Sequence, residues 1–459
     1  MKDFKPVDFS NMQGFFSTRH TISYAFRKAQ LLQLKKAIQA NETAILQALY
    51  QDLRKSPEEA YATEIGFIYK EINHTISHLK QWMEADHVST PFMLFPSSSK
   101  VSREPWGICL IIAPWNYPFQ LLMAPLIGAI AGGNTAVLKP SEMTPHTAAV
   151  VEKMMIENFD PNYISVVVGN GAEVVPKLMD AYRFDHVFFT GSTAVGRQIA
   201  IMAAEKLVPV SLDLGGKSPC IVDKDADLAV AAKRITWGKF TNAGQTCVAP
   251  DYLLVHASRK AQMVALIQKN IKHFYGVEPN LSAEYGRIVN QNRLQKIVSY
   301  FKEGNLICGG KTIPENLYVA PTLMDNIIPG AAIMKEEIFG PILPIISYEN
   351  VEDAVLIIRK NPNPLSLYYF GNNRKTEKIF TEQIAFGGGC INNTLVHLAN
   401  EALPFGGVGN SGLGNYHGKF SFEAFTRPKS VLKSGTWLDP SIKYPPYKGK
   451  LKILKWLMK

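Results

Sequence analysis

Residues 106–139 read WGICLIIAPWNYPFQLLMAPLIGAIAGGNTAVLK, and no charged side chain occurs between Glu104 and Lys139. A run this long could be taken for a membrane span. Pro114, Pro118 and Pro125, with Asn116 and Gln120 among them, break it, because proline lacks the N–H that a continuous helix needs. What remains is a buried strand (WGICLIIA), a tight turn (PWNYP), a buried helix (FQLLMAPLIGAIAGG) and a second strand ending at Lys139. This is one βαβ unit, and it sets the fold class: α/β, with a parallel, doubly wound sheet.

The same alternation extends in both directions. Apolar runs at Ile108–Ala113, Thr135–Lys139, Ile164–Val168 and His186–Phe189 are separated by helix-patterned stretches. A second series begins near Val210 and passes through SPCIVDKDADL, YLLVHA, GPILPIISY, SLYYFG and GGGCINNT. At 459 residues the chain exceeds what one hydrophobic core supports, so two large lobes are expected. Upstream, Ala29, Leu32, Leu34, Ile38, Ile45, Leu46 and Leu49 recur at helical spacing, which predicts helix from Ser17 to about Glu84. Residues 87–106 read as an extended, hairpin-like excursion. The late segment FTRPKSVLK reads as a strand returning to it, and exposed strands of this kind commonly form an intersubunit platform.

Five cysteines at irregular spacing, none in a C-x-x-C pair or near a histidine in ligand spacing, predict reduced thiols, no metal and a cytoplasmic setting. The opening MKDFKPVDFS lacks the apolar core of a signal peptide. The net charge of +10 would suggest nucleic acid, but Lys443, Lys448, Lys450, Lys452, Lys455 and Lys459 concentrate the excess in the tail, so no such partner is expected. In that tail Leu451, Ile453, Leu454, Trp456, Leu457 and Met458 interleave with the lysines. Two readings fit: packing against the body or a sister subunit, or peripheral attraction to the inner membrane surface.

The chemistry concentrates in short motifs. KFTNAGQTCVAP places Cys247 in a loop of small residues, where a thiol can meet substrate. VSLDLGGKSP places Asp213 before a Gly-Gly turn, where a carboxylate can activate water. The GGKS is not a phosphate loop of Walker type, because Ser211 stands where that pattern needs glycine. Asn116, on a turn between prolines, can donate to an oxyanion beside the Cys247 backbone N–H, or can simply form the turn. AVLKPSE brings Lys139 and Glu142 to a strand's carboxyl end, where doubly wound sheets bind ligands and where both can reach ribose hydroxyls. FFTGSTAVG sets Gly191 and Ser192 at a helix N-terminus with Gly196 one turn on, a place for a pyrophosphate. KEEIFGPILPI adds Glu337 and Phe339, and LPFGGVGNSGLG is a glycine-dense loop suited to close approach.

Taken together, PWNYP, LKPSE, FTGSTAVG, SLDLGGKSP, NAGQTC, EEIFGP and PFGGVGNSG resemble, in order and over nearly the whole chain, the aldehyde dehydrogenase superfamily. The short N-terminus, GNSGLGNYHGKFSFEAFT and the YPP tail resemble its class 3 and fatty-aldehyde branch. The resemblance implies a Rossmann-like dinucleotide-binding domain (1–86 and 107–212) and a second α/β catalytic domain (213–423). It also implies a small β oligomerisation platform (87–106 and 424–442), with 443–459 left as the basic tail. Cys247 would be the nucleophile, Asp213 the base and Asn116 the oxyanion donor. The implied cofactor set is Trp115, Lys139, Ser141, Glu142, Gly169, Thr190, Gly191, Ser192, Val195, Gly196, Leu214, Gly215, Glu337 and Phe339. The implied reaction oxidises an aldehyde to a carboxylic acid through a thiohemiacetal and a thioester, in a homodimer or tetramer.

One departure stands out. The family ordinarily has glutamate in this motif, so Asp213 withdraws the carboxylate by about 1.5 Å, and a misplacement of about 1 Å can cost on the order of 10²-fold. The expectation is that a second water relays the proton, that Glu337 shares the role, or that thioester hydrolysis is slow. Glu142 would repel a 2′-phosphate and favour NAD, whereas Lys139 tolerates NADP. Tyr117 and Phe405 suggest an apolar or aromatic aldehyde pocket, or plain core. The competing readings are an acylating relative that passes the acyl group to coenzyme A, and a non-catalytic dimeric binding protein.

Overall fold

The computed structural model describes residues 7–458; residues 1–6, and with them most of the N-terminal segment read above, lie outside it, as does Lys459. The βαβ unit forms as expected. Strands Ile108–Ile112 and Thr135–Lys139 pair in parallel, from Ile108 opposite Thr135 to Ile112 opposite Lys139. Helix Gln120–Gly132 joins them, and every residue in it is buried, which explains why its sequence lacks a polar face. The sheet alternates with period two: Cys109 and Ile111 pack toward the N-terminal helices, while Ile108, Leu110 and Ile112 pack toward the opposite helical layer.

The first sheet has six strands in the order Gly412–Leu413, Val210–Leu214, His186–Gly191, Ile108–Ile112, Thr135–Lys139, Ile164–Val166. All its pairings are parallel except that of Gly412–Leu413. The second has seven: Asn305–Cys308, Thr322–Asp325, Ile342–Tyr348, Tyr252–His256, Pro219–Val222, Ser366–Phe370 and Gly388–Ile391. The expected boundary at 213 falls inside strand Val210–Leu214 of the first sheet, and the chain returns to that sheet at Gly412, opposite Asp213. Hydrophobic pattern shows where strands are but not which sheet they join, and the GGKS turn is where the chain changes sheets. Strands Ser97–Pro105 and Thr426–Ser434 pair antiparallel along their full lengths, with Asp86–Val88 on the outside.

In the predicted N-terminal helical region lies the 30-residue helix Tyr24–Leu53, opened by Ser23, whose hydroxyl accepts from the Phe26 N–H. Leu34, Ile38, Ile45 and Leu49 lose all solvent contact, contributing about 2 kcal/mol each. Leu31, not Leu32, completes this stripe; Leu32 is 41% exposed, one residue off the buried line, and Ala29 also faces outward. Arg27 crosses to the buried helix, donating to the Ala131 carbonyl at 2.8 Å and so satisfying a helix-end acceptor. Among the described residues no helix is long and apolar enough to cross a membrane. The tail forms helix Leu451–Leu457, with Leu451 61% and Trp456 76% exposed, so the body of this chain does not cover it.

Candidate active site

Helix Leu228–Phe240 delivers the chain into a turn, Thr241–Gly244, in which Asn242 (φ 53°) and Ala243 (φ 51°) are left-handed. A conformation that costs about 1 kcal/mol or more per residue persists only where the surroundings over-determine it. Here they do. The Asn242 N–H donates to Glu59 Oε1 at 2.8 Å, and its side-chain amide donates to the Asn116 carbonyl at 2.8 Å and the Gln245 carbonyl at 3.1 Å. Gln245 donates to the Asn242 and Arg287 carbonyls and accepts from the Val289 N–H. Gly244 lies so close to the EEIFGP turn that a Cβ would stand 2.4 Å from the Gly340 carbonyl oxygen. The amides of NAGQTC therefore fix the backbone that presents Cys247.

The PWNYP turn rests on a buried ion pair, Lys55 with Glu64. Lys55 Nζ donates to the Asn116 carbonyl at 2.9 Å and sits 4.0 Å from the Tyr117 ring centroid. Glu64 accepts from the Phe119 and Gln120 N–H groups, capping helix Gln120–Gly132 with charge of the sign its N-terminus favours. Sequence reading missed all of this, because a lone lysine in a loop and a lone glutamate on an early helix carry no motif.

Cys247 stands where two cavities meet. The larger, about 620 Å³, is lined by Asn116, Asp213, Cys247, Arg293 and Glu337, together with Trp115, the stretch Thr190–Ala194, Leu214, Gly215 and Phe339. Trp115 and Phe339 meet edge-on at 5.2 Å. Gly215 leaves room for the Glu337 carboxylate, since a Cβ there would lie 1.9 Å from Glu337 Oε2 and push that side chain aside. Ser192 caps helix Thr193–Glu205, accepting from the Val195 N–H at 3.4 Å. The smaller cavity, about 210 Å³, is apolar: Phe67, Tyr117, Trp237, Leu395, Phe405 and Tyr416 are among its walls. Only Leu121 and Cys247 line both.

Burial governs the charges of the site. Asp213 accepts from Tyr416 Oη at 3.0 Å through one oxygen, while the other has no partner; burial pushes its pKa up to about 7. Glu337 rises to about 8, chiefly through burial and then through Asp251, with Lys217 opposing. Burial first, then the charges of Asp213 and Glu337, hold the Cys247 thiol well above its ordinary value, so it is protonated at neutral pH in this state. Lys217, the lysine of GGKS, pairs with buried Asp251, which also accepts from the Ile338 N–H at 3.1 Å. That lysine locks the EEIFGP turn and faces no phosphate site.

Lys139, Ser141, Glu142, Gly169, Val195 and Gly196 lie outside the larger cavity. Lys139 Nζ holds Glu142 Oε2 at 3.0 Å, and the other Glu142 oxygen accepts from the Gly171 N–H at 3.0 Å. These groups form a separate polar corner at the carboxyl edge of the first sheet. Ser141 accepts from the Met143 N–H within its own turn, and Gly169 has φ 139°. Gly196 is a packing glycine, because a Cβ would meet Leu214 Cδ2 at 2.4 Å. A helix N-terminus, glycine turns that let backbone approach and an amine–carboxylate corner suit a dinucleotide laid along the sheet's edge. Among the described residues, no three His, Cys, Asp or Glu side chains are grouped to hold a metal.

A thiol between a dinucleotide-type cleft and an apolar chamber is the arrangement of an oxidoreductase that works through a cysteine adduct. The family model described as "Aldehyde dehydrogenase family" matches residues 10–431, and the chain belongs to that family. It is similar to 4,4'-diaponeurosporen-aldehyde dehydrogenase of Staphylococcus aureus, at 49% identity with 98% of each chain covered. It is also similar to aldehyde dehydrogenase, dimeric NADP-preferring, of Rattus norvegicus, at 41% identity, covering 95% of this chain and 96% of the relative. The solved structure "Substrate bound state of Staphylococcus Aureus AldH" superposes with a TM-score of 0.96 at 49% identity, covering 98% of each chain. The protein is an NAD(P)-dependent oxidoreductase that converts aldehydes to carboxylic acids.

Proposed function

We propose that Cys247 carries the reaction as nucleophile, with Asn116 and the Cys247 backbone N–H holding the oxyanion and Asp213 activating water. The observation behind this reading is the position of Cys247 between the two cavities, with Asn116 and Asp213 in the wall of the larger one. The Cys247 thiol releases its proton to solvent as its sulfur attacks the aldehyde carbon, giving a thiohemiacetal whose oxyanion Asn116 and the Cys247 backbone N–H hold. When bound, an oxidised nicotinamide would supply the hydride acceptor that conversion of the thiohemiacetal to the thioester requires. Asp213 takes a proton from water, and the resulting hydroxide cleaves the thioester to the carboxylic acid and returns the thiol. Lys139 and Glu142 hold one ribose, Gly191 and Ser192 the pyrophosphate, and Glu337 and Phe339 the nicotinamide ribose. The test is pre-steady-state kinetics: a burst of NADH near one per site, with Asp213→Glu raising steady-state turnover, supports slow hydrolysis by a withdrawn base. No burst, together with lower turnover in Asp213→Glu, overturns it.

The substrate is a medium- or long-chain aliphatic or an aromatic aldehyde, a class that suits the apolar chamber around Tyr117 and Phe405. NAD is the favoured cofactor, because Glu142 occupies the corner a 2′-phosphate would need; the relative named NADP-preferring makes NADP the alternative. An aldehyde panel run with both cofactors decides each point. Assembly is a homodimer through the strand platform, read by analytical ultracentrifugation. The exposed lysine-rich tail helix lies on anionic lipid, and loss of vesicle co-sedimentation on deleting residues 443–459 is the check.

A further inference from the structure

A buried carboxylate usually gathers several hydrogen-bond donors. Asp213 has one of full geometry, Tyr416 Oη at 3.0 Å from Oδ2, while Oδ1 has none; Thr190, opposite Asp213 in the neighbouring strand, adds a hydroxyl that favours the ionised carboxylate more weakly than Tyr416. Tyr416 is in turn held by a rigid frame. It is 2% exposed, and its main chain exchanges both hydrogen bonds with Phe405, at 2.8 and 3.0 Å. Its ring packs edge-on against Phe188 at 5.0 Å, Phe405 at 5.4 Å and His417 at 4.3 Å. A few residues earlier the same segment pairs with the Asp213 strand, placing Gly412 opposite Asp213. Backbone and ring packing together thus fix where the Tyr416 hydroxyl stands, and an aspartate has only two side-chain torsions with which to respond.

We infer that Tyr416 is a positioning residue for thioester hydrolysis: by holding one oxygen of Asp213 it stops rotation of the carboxylate and aims the other oxygen at the attacking water. The inference rests on Asp213 being the base. It supplies what the shortened side chain lacks, a fixed aim in place of reach. The titratable groups around the pair are the Cys247 thiol, Glu337 beyond it, Glu71 behind Tyr416 and His417 against its ring, the last kept neutral by burial. Arg293 lies further along the cavity wall, and His186, kept neutral by burial, contacts neighbouring Ser211.

Acyl-enzyme formation and decay are followed separately, by single-turnover NADH formation and by mass spectrometry of quenched protein, across pH for wild type, Tyr416→Phe and Asp213→Asn. Tyr416→Phe is expected to leave acylation within about twofold and to slow hydrolysis about tenfold, the scale of one hydrogen bond to a charged group. Loss of a donor to the carboxylate also moves the acid limb of hydrolysis to higher pH, by about one unit. If Tyr416→Phe slows both steps equally without moving the limb, or leaves both unchanged, while Asp213→Asn blocks hydrolysis, Tyr416 only fills space and the inference fails alone. If Asp213→Asn hydrolyses its thioester at the wild-type rate, the base assignment fails and the inference falls with it.

Discussion

On one side of Cys247 the wall sets a capped helix start, a Gly-Gly turn, Asp213 and Glu337 among apolar side chains that include Trp115, Leu214 and Phe339. On the other it is bulk, with Tyr117, Trp237, Leu395 and Phe405 enclosing an apolar chamber. The first side is sensitive to added bulk, because a Cβ at Gly191 or Gly215 would push aside Phe189 or Glu337. The second needs only volume and the absence of unpaired polar groups, which many side chains supply. A single thiol thus joins a wall defined by geometry to a wall defined by size.

The largest effect comes from removing the point where they meet. Cys247→Ala should lower aldehyde oxidation by at least about 10³-fold, while cofactor affinity, read by fluorescence titration, stays unchanged. Next is Glu64→Gln, which leaves Lys55 charged and unpaired beneath the turn that feeds both walls. A loss of about 3 to 5 kcal/mol in denaturant unfolding is expected, and a loss under 1 kcal/mol would show that the turn holds itself. Gly215→Ala tests the geometric wall alone. Displacing Glu337 should cost on the order of 10² in kcat/KM for the cofactor and leave the KM for aldehyde nearly constant.

Solution pH separates the walls further. Hydrolysis requires ionised Asp213, whose pKa is about 7, so turnover should fall about tenfold per pH unit below that value. Because the folded pKa is raised, the folded state binds the proton more tightly than the unfolded one. Asp213 therefore contributes stability that is lost as pH rises from its ordinary value toward 7, opposite in sign to its effect on rate. The mildest change is Phe405→Leu, for which a rise in KM of about tenfold or less is expected for a long apolar aldehyde, with no change for a short one. An equal change for both would place Phe405 in the core rather than the chamber wall.

This contrast also explains what could be read from the chain. The βαβ unit of the first sheet was legible from residues 106–139, because prolines and unbroken apolar runs leave one way to fold them; that Val210–Leu214 and Gly412–Leu413 join the same sheet was not. Strands Asn305–Cys308 and Thr322–Asp325 were not either: each is only four residues long, and neither alternates between buried and exposed positions. The geometric wall announced itself through glycine-bearing motifs. Glu59, Lys55, Glu64, Arg293 and Tyr416 gave no signal, since each acts alone on a partner far away in sequence. Leu32 misled because helical spacing alone does not fix which of two adjacent leucines faces inward.

The turn that presents the cysteine has a consequence for the life of the chain. Its backbone is clasped by Glu59 and by the Asn116 carbonyl, 183 and 126 residues away from Asn242. Loop closure over such separations comes late in folding. A half-made or misassembled molecule thus leaves its sulfur without a place between the two cavities. What the finished fold confers is position, and the same fold keeps the resting thiol protonated.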